Sequence, residues 1–588
     1  MKKLFFVISS ICGYFSVSAQ YSEGGIPLSM DPMTSGEVSA QQYIQTVSLA
    51  PPDIEAFRYQ DKTNPEPGLC RIGALVATDL GIKNSGSILS LRDGRKIWRL
   101  KIQMPGMQAL GLYYDQFHLS EGVKYYIFNS SGRQILGAYT ANENPDDGIW
   151  ANEKVQGEMM TLEMDIDANV DISTIRMHID KVGVFYKETQ YLAAYDIATA
   201  NMRTTSGPGF PYKGSSACEI NAACSTSVSS YTNQSNATMH IEYVKGSFIY
   251  GGTGTMVNNT LQNCTPYVLT ASHVEPTNST TNSTFSNWVF YYHYEAPTCV
   301  YSGSQPSYKT MTGAYFRARA SYDSSVTGIK GDFLLLELKS SPALSYNYYF
   351  AGWDTADAIS PLVETFICYH HPSGDIKKVS TGTTAFPNGS FNLSNGGLAN
   401  SHWDITFNEG GIEEGSSGSA LFNSTGRIIG ILSGGNTSSS CTDTNSSGQK
   451  MNIRSEFSKL SLDWSYNIES PSTPSSRLRD WLDPSGSRAS TLDGMAGCTV
   501  GIIATKTKRQ DEIIYPNPTN SIVYFDMQNA DSKAAIYNVR GEKLKDIFLK
   551  NNNSIGYKID LSNYPSGVYF LRVTANNSTY FHKIILNK

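Results

Sequence analysis

The sequence has few charged residues for its length and no basic cluster of the kind that binds polyanions. Asp, Glu, Lys and Arg together make up 17% of the 588 residues, and the formal net charge is −6. This balance gives no reason to expect a nucleic acid or an anionic membrane as a partner. Beyond the amino terminus, no stretch reaches the roughly 18 apolar residues that a membrane-spanning helix requires. No Cys-x-x-Cys pair with suitably spaced histidines indicates a zinc site, so we expect no metal and no other cofactor.

The amino-terminal residues indicate export. Lys2 and Lys3 precede an apolar run over 4–17, and small residues follow up to Ala19. This order is typical of a secretory signal peptide, which we assign to residues 1–19. The remainder contains eight of the nine cysteines. An even number of cysteines in an exported chain favours disulfide bonds.

Changes in composition divide the rest of the chain into domains. Residues 20–67 are polar and lack periodicity, whereas apolar and polar residues alternate from Trp98 to Met104, as in a strand. We predict a β-sandwich over about 68–190 within residues 20–213. Residues 214–496 contain many short strand patterns with glycine-rich turns and form a second predicted domain. A linker at 497–512 precedes a second small sandwich at 513–588. The chain is therefore predicted to be all-β.

The strongest local signal is the segment Glu414–Phe422, which reads EGSSGSALF. A serine between glycines, followed by an apolar run, can expose its hydroxyl on a tight turn. The amides beside it can then stabilise an oxyanion. Ser417 is the candidate nucleophile, and the N–H groups of Gly415 and Ser417 are the candidate oxyanion hole. Alone, the motif is equally typical of a Ser/Gly hairpin loop.

Two further segments supply partners for this serine. An apolar strand at 267–270 ends in a small-residue turn with His273, which suits a general base. The rival histidines, His293, His370 and His371, cap no comparable strand-to-turn unit. Asp332 opens the apolar run Phe333–Leu338, where we expect a partly desolvated carboxylate paired with the imidazole. The predicted catalytic triad is therefore His273, Asp332 and Ser417.

These motifs resemble the trypsin-like serine proteases, and specifically the bacterial lysyl endopeptidases, over about 214–495. The similarity extends to AGWD at 351–354, HHP at 370–372 and RLRDWLD at 477–483. It implies a chymotrypsin-like double β-barrel that hydrolyses peptide bonds of proteins through an acyl-enzyme on Ser417.

The resemblance also implies disulfides. Cys218 would pair with Cys441, and Cys224 with Cys299. Gly252 and Val274 stand where another bridge of the family has its cysteines, and Cys264 with Cys368 is a candidate replacement.

Activation and specificity depart from better-known relatives. Ser416 stands where trypsin has the aspartate that pairs with its new amino terminus, so we expect activation by removal of residues 20–213, with Lys213-Gly214 at the family's processing position.

The family's pocket aspartate falls on Lys450, which argues against lysine specificity. Lys450 either selects acidic side chains or pairs with Glu413 or Glu414, and a loop misalignment stays open. Ser433, Gly434 and Glu413 are the other candidate pocket residues.

The carboxy-terminal block resembles the sorting domain of type IX secretion substrates, through YPNPTN at 515–520 and YPSGVYFL at 564–571. The resemblance implies an Ig-like sandwich recognised by outer-membrane secretion machinery of a Bacteroidetes-type bacterium, and a secreted or surface-attached product. The basic run Lys506–Arg509 is a candidate cut region. The alternative function is a non-catalytic adhesin or binding protein built on a protease fold.

Overall fold

A computed structural model describes residues 24–39, 43–66, 68–187, 215–216, 219–224, 231–299, 308–321, 331–357, 363–389, 398–435, 453–465, 473–497, 514–515, 519–525, 532–538, 543–549, 557–575 and 578–588. The chain forms two compact units, Met1–Cys498 and Thr499–Lys588. Among the described residues, none of the helices is both long enough and apolar enough to cross a bilayer. The predicted signal peptide and residues 498–512 of the predicted linker lie outside the described ranges.

The first unit begins with a β-sandwich. One sheet consists of Thr46–Ser48, Ser87–Ser90, Lys96–Gln103, Val123–Asn129, Ile135–Tyr139 and Met159–Ile166. The facing strands are Cys70–Gly81, Ala109–His118, Trp150–Ala151, Val155–Gln156 and Arg176–Phe185. Alternating side chains such as Trp98 and Leu100 from one layer and Leu112 and Val182 from the other form the buried core between them. Such a two-layer core is expected where each strand has one apolar face.

Ordered structure also precedes this sandwich, in the region where the sequence shows no periodicity. Helices run over Ser35–Ser39 and Ile54–Thr63, and Asp53 caps the second by accepting a hydrogen bond from the Ala56 amide at 3.0 Å. The longer helix has no fully buried residue. A helix with so little buried surface leaves only a weak apolar pattern in its sequence.

The sandwich is continuous with the first barrel of the predicted catalytic domain. Strand Cys70–Gly81 pairs with Phe248–Met256, with Ala74 opposite Phe248 and Cys70 opposite Gly251. Backbone hydrogen bonds therefore join the segment before residue 213 directly to a strand of the barrel.

The first barrel closes through one bent strand. Its strands are Thr238–Lys245, Phe248–Met256, Tyr267–Thr270, Val289–Tyr292, Lys309–Thr312, Ala314–Arg319 and Leu334–Leu338. Lys309–Thr312 pairs with Val289–Tyr292, and after Gly313 the chain continues as Ala314–Arg319, which pairs with Leu334–Leu338. Gly313 has a φ of +85°, and a Cβ there would lie 2.9 Å from the Ser286 carbonyl, so the bend requires glycine.

The second barrel is formed by Val363–His370, Lys378–Gly389, His402–Glu409, Ala420–Phe422, Ile428–Gly435 and Ile453–Lys459. It closes because Ala420–Phe422 pairs with both Val363–His370 and Ile428–Gly435. This unit also contains short strands at Ile220–Asn221, Tyr349–Phe350, Trp353–Asp354, Thr491–Leu492 and Met495–Ala496. Its short helices run over Thr232–Ala237, Asn282–Phe285, Leu460–Ser465 and Arg479–Leu482. Leu478 and Leu482, at the ends of the helix over Arg479–Leu482, are fully buried. The all-β double-barrel prediction is confirmed.

The second unit is a small sandwich. One sheet contains Ile514–Tyr515, Ile522–Phe525 and Tyr557–Asp560, and the other contains Ser532–Asn538, Lys543–Leu549, Gly567–Ala575 and Ser578–Leu586. Strands Gly567–Ala575 and Ser578–Leu586 pair antiparallel, with Ala575 opposite Ser578. Val523, Ile536, Leu571 and Ile584 form part of its core.

The cysteines follow the expected pairing only in part. Cys224 and Cys299 form a disulfide with a Cα–Cα distance of 4.0 Å. The suggested Cys264–Cys368 bridge is wrong, because Cys368 is a free, buried thiol while Cys264 is disulfide-bonded to another cysteine. Cys218 and Cys441 lie outside the described residues. A Cβ on Gly252 would be 3.9 Å from Val274, so the positions of the missing family bridge are adjacent.

Candidate active site

His273 lies at the end of a barrel strand, as the sequence predicts. Strand Tyr267–Thr270 pairs with Leu334–Leu338, which places Thr270 opposite Leu334. The chain then turns through Ser272–Val274, and the His273 side chain is only 2% exposed. The same pairing places Asp332, just before the second strand, beside the histidine.

Asp332 holds this imidazole from one side. Its Oδ2 is 2.7 Å from His273 Nδ1, and its Oδ1 accepts hydrogen bonds from the His273 amide at 3.0 Å and the Ser272 hydroxyl at 2.9 Å. Asp332 is completely buried rather than partly desolvated as expected. Burial raises its pKa, but the charge and hydrogen bonds of His273 and the hydroxyl of Ser433 outweigh burial and lower the pKa to about 2. The aspartate is therefore ionised at neutral pH, and the imidazole keeps Nε2 for another partner.

A second layer of polar groups holds the aspartate. Ser433 also lies 3.1 Å from His402 Nε2, and burial lowers the pKa of His402 to about 4. On the other side, the Asp332 amide donates to Ser458 Oγ at 3.0 Å, and the Ser458 hydroxyl donates to Asp463 at 2.8 Å. Burial raises the pKa of Asp463 well above its usual value, which disfavours a second negative charge beside Asp332.

The Ser417 loop has a backbone that only glycines permit. Gly415 has a φ of +93°, and a Cβ there would lie 2.8 Å from the His371 carbonyl; at Gly418, with a φ of +85°, a Cβ would lie 2.1 Å from the Thr270 hydroxyl. Thr253 supports the loop by donating its amide to the Ser417 carbonyl at 3.0 Å and its hydroxyl to the Gly415 carbonyl at 2.9 Å. In the described part of the chain, neither the Gly415 nor the Ser417 amide donates a hydrogen bond. Both amides are therefore available to an oxyanion.

A residue from the segment before 213 lies between Ser417 and His273. The Ser417 hydroxyl donates to the carbonyl of Gly68 at 3.3 Å. A Cβ on Gly68 would lie 3.3 Å from His273 Cδ2 and 3.6 Å from Nε2. His273 Nε2 is buried and has no hydrogen-bond partner among the described residues. The structure therefore brings the candidate nucleophile and base to one place, where Gly68 contacts both.

The candidate pocket residues have different surroundings. Ser433 and Gly434 lie on strand Ile428–Gly435, where Ser433 contacts Asp332 and His402 and Gly434 pairs with Glu456. Glu413 accepts hydrogen bonds from the Ser216 amide and the Ser373 hydroxyl, both at 2.9 Å. Lys450 lies outside the described residues.

Two further histidines of the described residues are held by other groups. His370 Nδ1 contacts the Ser416 hydroxyl at 2.8 Å, and His371 Nδ1 contacts the Asp375 carbonyl at 3.0 Å; burial lowers the pKa of both rings. Over the described ranges, no group of His, Cys, Asp or Glu has a geometry that could hold a metal ion. Sequence reasoning missed His402, Asp463 and Gly68, and no local motif could have indicated them.

Comparisons with known proteins show which families the sequence is similar to. A family model described as the lysyl endopeptidase C-terminal domain matches residues 212–451, and a model of the secretion system C-terminal sorting domain matches 513–587. The lysyl endopeptidase of Pseudomonas aeruginosa is 25% identical over 346 residues, which cover 57% of this chain and 67% of that protein.

Solved proteases show weaker likeness. Protease Anisep from Arthrobacter nicotinovorans is 16% identical with a TM-score of 0.27, over 39% of this chain and 91% of that one. The active form of the Rv3671c protease from M. tuberculosis is 14% identical with a TM-score of 0.23, over 41% of this chain and 85% of that one.

The sorting domain and the secreted relative make this a secreted or cell-surface protein. The two barrels, the matched domain and the curated relative together identify the class of enzyme. The chain is a serine endopeptidase that is similar to the lysyl endopeptidases over residues 212–451 and carries a secretion system C-terminal sorting domain at 513–587.

Proposed function

We propose that Ser417, His273 and Asp332 form the catalytic triad of this secreted endopeptidase. The observation on which this rests is the contact of 2.7 Å between His273 Nδ1 and a fully buried, ionised Asp332. With its proton fixed on Nδ1, the imidazole can accept the Ser417 proton at Nε2 as the hydroxyl attacks a peptide carbonyl. It then protonates the leaving amine, and a water molecule hydrolyses the acyl-enzyme by the reverse transfer.

The amides of Gly415 and Ser417 are proposed as the oxyanion hole. Both belong to the loop that Thr253 anchors at two carbonyls, so their directions are fixed before substrate arrives. Preplaced donors stabilise the charge that develops on the carbonyl oxygen without reorganisation, which is a large share of the rate enhancement in such enzymes.

Activation is proposed to require removal of residues 20–213. The contact between the Ser417 hydroxyl and the Gly68 carbonyl at 3.3 Å supports this, because it occupies the nucleophile. Beyond the proposed cut at Lys213-Gly214, the Ser215 hydroxyl donates to Asp375 at 2.5 Å and the Ser216 amide donates to Glu413. The chain on the carboxyl side of the cut is thus already attached to the catalytic domain, as a mature amino terminus would have to be.

The proposed cleavage preference is for acidic residues rather than lysine. Lys450 replaces the family's pocket aspartate, and a cation there would attract a carboxylate and repel an ammonium. The alternative is an internal pair of Lys450 with Glu413 or Glu414, and Glu413 accepts hydrogen bonds from the Ser216 amide and the Ser373 hydroxyl. Cleavage of a peptide library by the mature enzyme tests the preference. Hydrolysis mainly after lysine would contradict it.

Outer-membrane secretion machinery is the proposed partner of residues 513–588. The matched sorting domain over 513–587 supports this assignment. The basic run Lys506–Arg509 is the proposed region where the domain is removed after export.

Peptide hydrolysis by paired variants tests the triad against the non-catalytic alternative. Ser417→Ala is expected to lower kcat/KM by about 10⁴-fold or more, because the nucleophile is lost. Ser424→Ala removes an exposed hydroxyl near the same barrel and serves as the matched control. Equal activity of Ser417→Ala and the parent would refute the proposal, and absence of hydrolysis by every processed form would favour the adhesin.

A further inference from the structure

A lysine of the sandwich projects into the catalytic domain. Lys154 lies between strands Trp150–Ala151 and Val155–Gln156, and its carbonyl accepts a hydrogen bond from Gln134 at 3.0 Å. The side chain is only 2% exposed, and its Nζ is 2.5 Å from Oε1 of Glu242 in strand Thr238–Lys245. This ion pair therefore crosses between the proposed propeptide and the first barrel, and it is buried on both sides.

The catalytic domain surrounds this ammonium with a carboxylate and aromatic rings. Glu242 is 3% exposed, and its second oxygen accepts the Tyr291 hydroxyl at 2.7 Å. The ring centroids of Tyr291 and Tyr294 lie 5.3 and 5.7 Å from Nζ, and Phe185 of the sandwich lies at 5.2 Å. Faces of aromatic rings at this distance attract a desolvated cation.

The charge state of the site agrees with its shape. Burial would raise the pKa of Glu242, but the charge of Lys154 and the contact with His240 lower it to about 2. His240 lies 3.6 Å from the same carboxylate, and burial lowers the pKa of its ring, which disfavours a second cation beside Glu242. Without an ammonium, Glu242 would be a buried and uncompensated charge, which costs several kcal/mol.

We propose that Glu242, Tyr291 and Tyr294 form a binding site for a primary ammonium group, separate from the triad, and that Lys154 in this site keeps the cleaved propeptide bound. Cutting the chain near residue 213 then does not by itself free Ser417, since Gly68 belongs to the same sandwich that Lys154 anchors. Full activity requires the propeptide to dissociate or to be degraded. The retention of the cut segment is independent of catalysis, so it can be tested in a chain that cannot cleave anything.

The test uses the full chain with Ser417→Ala and a recognition sequence for an unrelated protease inserted between residues 200 and 201. After cleavage there, the Kd of the two fragments is measured by analytical ultracentrifugation over a dilution series. Lys154→Met and Glu242→Gln are each expected to raise the Kd by about 100-fold or more. The first variant leaves the buried Glu242 carboxylate unpaired, and the second leaves the buried Lys154 ammonium unpaired. The double variant is expected to lose no more than either single variant, since no unpaired charge remains.

A second lysine at the same interface provides the matched control. Lys339 of the catalytic domain contacts Asp147 of the sandwich at 2.7 Å, but Asp147 is 31% exposed. Lys339→Met is therefore expected to raise the Kd by about fivefold or less. A Kd for Lys154→Met within about threefold of the parent would overturn the proposal, and so would losses for the double variant equal to the product of the singles.

Chemical rescue identifies the ligand class. Lys154→Ala opens a cavity in front of Glu242. The cation n-butylammonium can fill this cavity and restore the positive charge, whereas n-butanol, which has a similar size, fills it without a charge. Butylammonium is expected to lower the Kd of the cut Lys154→Ala chain at least about tenfold, and Glu242→Gln is expected to abolish this rescue. Should a variant not fold alone, the amine is added during refolding, and recovery of near-UV circular dichroism becomes the readout. Equal rescue by butanol would refute an ammonium site, and none of these outcomes bears on whether Ser417 is the nucleophile.

Discussion

Substitution of Gly68 should unblock the uncleaved protein. Gly68 has a φ of +74°, and a methyl group there would lie 3.3 Å from His273 Cδ2. The left-handed backbone costs a non-glycine residue about 1–2 kcal/mol, and the contact with the imidazole adds further strain. Both penalties apply only while the segment around Gly68 lies beside Ser417 and His273. Gly68→Ala should therefore shift the equilibrium toward the unblocked state by about 2 kcal/mol, which raises the unblocked fraction about 30-fold.

The assay is the labelling rate of the full-length band by a fluorophosphonate probe, so that processed enzyme does not contribute. Gly106→Ala is the matched control, because Gly106 has a φ of +78° in the same segment but nothing within 4 Å of an added Cβ. It should change the labelling rate less than about twofold, since its strain is not coupled to the cleft. Equal labelling rates for Gly68→Ala and the parent would refute the view that Gly68 blocks Ser417.

Four further outcomes are expected. Asp332→Asn should lower kcat/KM about 10⁴-fold in peptide hydrolysis, because the imidazole loses its orientation and its counter-charge; a loss below tenfold would contradict the assigned role. Lys450→Asp should raise cleavage after lysine relative to cleavage after glutamate in a peptide library, and an unchanged profile would remove Lys450 from the pocket. Cys224→Ser with Cys299→Ser should lower the free energy of unfolding by about 2–4 kcal/mol in a denaturant titration, whereas an unchanged midpoint would show that the bridge adds nothing. Burial lowers the pKa of His402 to about 4, so its ring stays neutral in the folded chain, whereas the unfolded chain takes up a proton below about pH 6.5. The free energy of unfolding should therefore fall as the pH falls from 6.5 to 4, and it should fall less steeply in His402→Gln. Equal slopes for the variant and the parent would contradict this.

The sequence predicts the all-β class and the candidate site because both depend on local patterns, whereas the double barrel is implied by the family resemblance. The strand before His273 and the strand after Asp332 are short apolar runs, and their pairing brings the two side chains together. The glycines around Ser417 are needed for positive φ, which is also visible in the sequence.

Other features depend on contacts between distant residues. His402 and Asp463 approach Asp332 through Ser433 and Ser458, and none of these lies in a motif. The suggested bridge to Cys368 is wrong because spacing along the chain does not fix a distance in space.

The role of the amino-terminal segment could be predicted only in outline. The sequence indicates a sandwich and a removable propeptide, but pairing of Cys70 with Gly251 joins that sandwich to the barrel and sets Gly68 beside Ser417. The Lys154–Glu242 pair crosses the same interface and has no signature in either local sequence. A buried lysine is identified only when its partner is known.

Mass spectrometry of the mature enzyme after reaction with a fluorophosphonate tests the central claim most directly. The account predicts one covalent phosphonyl adduct on Ser417, formed in step with the loss of peptide hydrolysis. An adduct on Ser416 or Ser419 with Ser417 unmodified, or hydrolysis that persists after complete modification of Ser417, would contradict it.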